Sequence, residues 1–183
     1  MKRIFLAVAG ALMVSVGAQG QTPAETIALA IDASLLRFGG DATLITWNAD
    51  FTYETVKEGT NTVVCYDRSD ERDRAAFSAQ CTSLTNLDRV AQNRRFRAAT
   101  TDTPEETAMI RAAEQAGTRV PAEYGSLWLR MDGGDAESAL LHATIAVPGA
   151  TNTSTGLPED RALGGVWIMD AGTGAAHIMI PGR

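Results

Sequence analysis

The hydrophobic pattern changes period several times along the chain, and each change marks an element. Residues 4–16 run almost without polarity, and amphipathic segments follow. Ile27, Ile31, Leu35 and Phe38 recur at helical spacing behind Thr22-Pro23-Ala24-Glu25, a capping box with Pro at the first helical position. This predicts a helix that Gly39-Gly40 stops. Residues 42–46 and 51–56 are rich in Thr, Ile, Phe and Tyr and predict two strands; Glu58-Gly59-Thr60-Asn61 reads as a turn, and 62–66 as a third strand. Charges of both signs crowd 67–74, which reads as an exposed loop. Over 83–97, Leu84, Leu87, Val90 and Ala91 share one side and arginines lie elsewhere, so a surface helix is expected.

Thr103-Pro104-Glu105-Glu106 repeats the capping chemistry and opens a helix that runs to Gly117. Residues 126–131 and 139–147 predict a pair of strands around Asp132-Gly133-Gly134-Asp135. Alternation in the second places His142, Thr144 and Ala146 on one face and Leu141, Ala143, Ile145 and Val147 on the other. The stretch 149–165 is rich in Gly, Thr, Ser, Asn and Pro and reads as a long loop, a length that suggests binding, covering a site or mobility. Short apolar strands at 166–169 and 177–180 flank Gly172-Thr173-Gly174. The sum is an α+β class: a mostly antiparallel sheet with two to three helices in a single compact domain over 21–183, with no repeat or linker.

The apolar head has a separate meaning. Lys2 and Arg3, the run 4–16, and small residues at Gly17, Ala18 and Gly20 follow the three-part order of a signal peptide, with cleavage expected after Gly20. The run is too short to span a bilayer. Losing Lys2 and Arg3 with it moves the net charge of −6 to −8, which disfavours nucleic acid as a partner. Arg89, Arg94, Arg95 and Arg97 accordingly read as a solvated helix face. No second long apolar run follows, so the mature chain is expected to be free of membrane spans and periplasmic or secreted. In such an oxidising compartment Cys65 and Cys81 most simply pair; a catalytic or metal-bound thiol is the alternative, with no His nearby to support it.

Four stretches resemble an uncharacterised family of exported bacterial proteins. These are Asp41-Ala42-Thr43-Leu44 with Trp47; Glu58-Gly59-Thr60-Asn61 with Cys65, Asp67 and Cys81; Ile145 to Thr151 followed by Ser154-Thr155-Gly156-Leu157-Pro158; and Ala176-His177-Ile178-Met179-Ile180-Pro181-Gly182. The chain departs from that pattern at Thr62-Val63-Val64, where such sequences often carry Gly-Trp. The resemblance implies export and a shared fold, and brings no activity to any position.

Chemistry-bearing residues are few. No nucleophile elbow, phosphate loop, dinucleotide fingerprint or His-Glu metal helix occurs. His142 and His177 are the two histidines; if they faced each other, Asp132, Asp135 or Asp170 could complete a metal site, against the ordinary reading of hydrogen-bonded structural residues. Trp47, Trp128 and Trp167 fall on predicted strands as core residues, or else line a ligand pocket. In the second reading Trp128 and Trp167 supply the apolar wall, and Asn152, Thr153 and His177 the polar contacts. The expectation is an exported binding or interaction module without a cofactor, its partner a small molecule or an envelope protein. The rival is a small metal-dependent hydrolase using His177 and His142, and a purely structural envelope component is a third reading.

Overall fold

One sheet of eight strands runs through the computed structural model, which describes residues 22–32 and 40–181. Residues 1–20 and the distal part of the first predicted helix, with Leu35 and Phe38, lie outside the described residues. In chain order the elements are α1 (Pro23–Asp32), β1 (Thr43–Trp47), β2 (Tyr53–Lys57), β3 (Val63–Asp67), β4 (Phe77–Ser83), α2 (Leu87–Ala98), α3 (Thr103–Gln115), β5 (Leu127–Gly133), β6 (Leu140–Ala146), α4 (Asn152–Thr155), β7 (Trp167–Met169) and β8 (His177–Ile180). The spatial order is β2-β1-β3-β4-β5-β6-β8-β7, antiparallel at every step except β1 against β3. No helix among the described residues is long and apolar enough to cross a membrane.

The mostly antiparallel sheet is as expected, but the chain is richer in both elements than its pattern predicts. Among the described residues there are four α-helices where two to three were expected. β4, a central strand, reads Phe-Ser-Ala-Gln-Cys-Thr-Ser and lacks the β-branched run that announces a strand. Its small residues suit a position where both faces are covered. The segment 149–165 is also not a plain loop. Thr151 caps α4 through a reciprocal pair with Ser154, at 3.1 and 2.9 Å, and Asp160 caps a 3-10 turn at Arg161–Leu163.

Strand alternation splits the core in two. On one face α1 contributes Ala24, Ile27 and Ala28 to a cluster with Leu44, Cys65, Ala79, Cys81, Leu129 and Met131. Cys65 and Cys81 are register partners on β3 and β4, 4.1 Å apart at Cα, and their disulfide is fully buried in this cluster. Farther along the same face, Ile145, Val147, Ala150, Leu157, Ile168 and Ile178 pack together, so the 149–165 segment closes the sheet there. The opposite face carries Ile45, Val64, Tyr66, Trp47 and Trp128 against Leu87 and Val90 of α2. The faces predicted for 139–147 therefore hold: Leu141, Ala143, Ile145 and Val147 join the first side.

One local constraint sets the strand order. After the β1–β2 hairpin the chain must pass the start of β1 to pair β3 on its far side, and five residues make the passage. Thr60 and Asn61 donate backbone N–H groups to Asp41 O at 2.9 and 3.2 Å, and Gly59 N donates to Thr43 Oγ1 at 3.1 Å. A Cβ on Gly59 would lie 2.3 Å from Thr43 N and 2.4 Å from Ala42 C, both rigid backbone. Gly59→Ala is therefore expected to lower stability by about 2–3 kcal/mol, the scale of an overpacked site. A fall in the urea midpoint at constant m-value checks it; an unchanged midpoint removes the close-passage account.

Candidate functional site

The helices on the second face rest on a buried charge lattice. The spacing Leu87, Val90, Arg94, Arg97 continues one stripe of α2, so the arginines follow the apolar residues inward. This corrects the solvated-face reading for three of its four arginines: Arg89 is 7 % exposed and the Arg94 and Arg97 side chains are also largely buried, while Arg95 is exposed as expected. Their counter-charge is Glu71, from the segment expected to be an exposed loop. Its carboxylate is 6 % exposed and accepts from Arg68 Nε at 3.1 Å and Nη2 at 2.8 Å, from Arg94 Nη1 at 2.6 Å, and from Arg97 Nη1. Arg74 Nε lies 3.5 Å away as a fourth ion-pair partner, without hydrogen-bond geometry.

Glu106 supplies the second acid. The cap of α3 is Asp102, one residue earlier than the sequence suggested, and its side chain accepts from Glu105 N at 2.9 Å. That shift releases Glu106 from capping and points it inward, where it accepts from Arg97 Nη2 at 2.8 Å and Arg72 Nη2 at 3.2 Å. A buried amide closes the far end of α2. Asn86 Nδ2 donates to Thr82 Oγ1 and Ser126 Oγ, both at 2.9 Å, while its Oδ1 accepts from Glu123 N at 2.9 Å. Each polar function of that fully buried side chain is met, as burial demands.

Between this lattice and the sheet lies a cavity of about 330 Å³. Trp128, Gln80 and Thr144 floor it from the sheet, α2 walls it with Arg89, Asn93 and Arg97, and Arg119 and the β7–β8 turn close the remaining sides. The wall is strongly cationic, since Arg68, Arg89, Arg94, Arg97 and Arg119 face it with Glu71, Glu106 and Asp170 as its acids. Burial lowers the Arg68 and Arg89 pKa values; burial and then the neighbouring Arg89 lower Arg119 to about 10. His177 completes the rim. Its Nδ1 is 2.7 Å from Ala175 O, an atom that can only accept, so Nδ1 carries a proton and Nε2 is left outside that hydrogen bond. Asp170 Oδ2 is 3.9 Å from the same Nδ1.

The predicted site residues divide between the two faces. Trp128 and His177 line the cavity, and Trp167 stands in the same row as Trp128, through Thr144 and Met179, but beyond it. Asn152 and Thr153 are exposed on α4, in the segment that closes the opposite face, and do not join them. His142 pairs with Arg130, whereas His177 pairs with Ala146, four residues farther along β6. At about 3.3 Å per residue this offsets their backbones by roughly 13 Å along the strand, although His177 still acts electrostatically on His142. Asp132 accepts from Ser78 and pairs with Arg130, Asp135 accepts from Ser138, and no group of three or more His, Cys, Asp or Glu among the described residues is arranged to hold a metal. Trp47 packs edge-on against Tyr53 and Tyr66, each at 5.7 Å, as a core residue.

No family model, curated protein or solved structure matches this chain.

Two outcomes test this arrangement. Glu71→Gln strips the shared counter-charge from four guanidiniums and is expected to cost about 3–5 kcal/mol, measured by chemical denaturation; a loss below 1 kcal/mol would show the lattice to be ornamental. The second concerns pH. Burial, then Arg130 and His177, hold His142 below its usual 6.5, so the unfolded chain takes up that proton first. Stability should decline as pH falls from 6.5 to the folded-state value, by at most about 1.4 kcal/mol per unit, and His142→Gln should flatten that window. Carboxylates such as Glu105 and Glu123, held low by threonine and serine hydrogen bonds, act only below 4.5.

Proposed function

We propose that this chain is a binding module of an oxidising compartment, bacterial periplasm or exterior, that takes a small molecule between the sheet and the α2–α3 layer. One observation carries the reading: the cavity has the size and make-up of a ligand site. Its 330 Å³ falls at the lower end of the range typical for small-molecule sites, and it combines the aromatic floor of Trp128 with convergent polar groups from four parts of the chain. Rigid supports favour a preformed site, since α2 is tied to the sheet through Glu71 at one end and Asn86 at the other. The fully buried disulfide supports the compartment, because such bonds persist where thiols are not kept reduced. Export and kinship with uncharacterised exported bacterial proteins belong to this proposal.

The test is a thermal-shift screen of the exported form against small metabolites, paired with the cavity-filling variant Ala122→Trp. A ligand at a hundred times its dissociation constant adds about 2.7 kcal/mol and should raise the midpoint by roughly 5–10 °C. Hits are expected for the native protein and should vanish in the filled variant. A screen without hits, or hits that survive Ala122→Trp, overturns the assignment to this cavity.

A further inference from the structure

The two ends of the cavity differ in how their charge is balanced. At the Glu71 end every guanidinium has a carboxylate partner: Arg68, Arg94 and Arg97 reach Glu71, and Arg97 also reaches Glu106. At the other end Arg89 is 7 % exposed, and its side chain donates one hydrogen bond, from Nη1 to Val120 O at 2.5 Å. Arg119 is held by the amide oxygens of Gln92 and Asn93 and lies over the Phe96 ring at 5.6 Å; its buried Nε has no hydrogen-bond partner. Among the described residues neither arginine has a carboxylate within ion-pair distance. Glu114 acts on both from farther away, and its own buried Oε1 lacks a hydrogen-bond donor.

A buried charge without a partner is among the least favourable features a fold can keep. Here Arg89 is buried and Arg119 half-buried, and the two face one cavity and repel each other. Arg72 Nε and Arg74 Nε at the Glu71 end also lack a hydrogen-bond acceptor, but both arginines have a carboxylate within ion-pair distance, so it is the missing counter-charge that sets the Arg89 end apart.

We infer that Arg89 and Arg119 form an oxyanion subsite, which takes the carboxylate, phosphate or sulfate group of a small ligand whose apolar part rests on Trp128. The inference depends on the binding reading above and narrows it to a ligand class. Planar guanidinium forks suit such groups, because two N–H donors can meet two oxygens at once. Burial lowers both arginine pKa values, and a bound anion would reverse that effect. Gln80, Thr144 and His177 remain for neutral polar groups elsewhere on the ligand.

Titration calorimetry with phenyl phosphate, benzoate and uncharged benzyl alcohol tests this on the full exported chain. Both anions should bind at least tenfold tighter than benzyl alcohol. Arg89→Gln and Arg119→Gln should each weaken phenyl phosphate tenfold or more, leave benzyl alcohol unchanged, and leave the ligand-free melting temperature equal or higher. The exposed control Arg161→Gln should change nothing. Equal binding of charged and uncharged probes, or an anion preference that survives Arg89→Gln, overturns the subsite while the binding reading stands. If none of the three probes binds, both fall. Should Arg89→Gln fail to fold, displacement of phenyl phosphate from the native protein by inorganic phosphate decides: competition supports the subsite, and its absence overturns it.

Discussion

A single buried carboxylate organises the helical side of this protein. Glu71 lies in a connection between two central strands, yet its oxygens gather guanidinium groups from that connection and from α2. Without it the arginines of α2 could not face the sheet, because desolvating several like charges together is far costlier than leaving them in water. With it, α2 can turn a mixed stripe of Leu87, Val90, Arg94 and Arg97 inward, apolar at one end and charged at the other. The cavity is a consequence. Guanidinium forks held apart by shared acids do not interdigitate with a sheet as aliphatic side chains do, and the space between them and Trp128 stays open.

The two faces of the sheet then serve different ends. The α1 side is a conventional apolar core, closed by the disulfide between register partners and, farther along, by the segment that contains α4. The α2–α3 side is charged and partly hollow, and its arginines have carboxylate partners around Glu71 and Glu106 but none within ion-pair distance at Arg89 and Arg119. Stability concentrated on one face permits such an imbalance on the other, which is the usual relation between a binding site and its scaffold.

Much of the architecture was legible in residue pattern. Thr22 and Glu25 form their capping box, the alternation of 139–147 assigns its faces correctly, and the two cysteines pair. Three differences from the pattern lie where polar residues are buried. β4 has too few large apolar residues to announce itself, the charged 67–74 connection looks exposed, and Arg89, Arg94 and Arg97 look solvated. Two of the five proposed contact residues, Trp128 and His177, reach the cavity, because strand alternation placed them on one face; Asn152 and Thr153 were chosen by loop composition, which carries no information about faces.

By itself the amino-acid order determined the class of elements, the pairing of the sulfurs and the partition of strand residues between two sides, since these follow from local periodicity and from covalent chemistry with a single partner available. Tertiary structure alone decided which charges go inside. Whether an arginine points to water or to a buried acid depends on where the acid arrives, and Glu71 comes from residues 23 positions before Arg94, across a strand whose own pattern is nearly silent. The meeting of those groups sets both the position of the cavity and its charge, and it exists only once the sheet has closed.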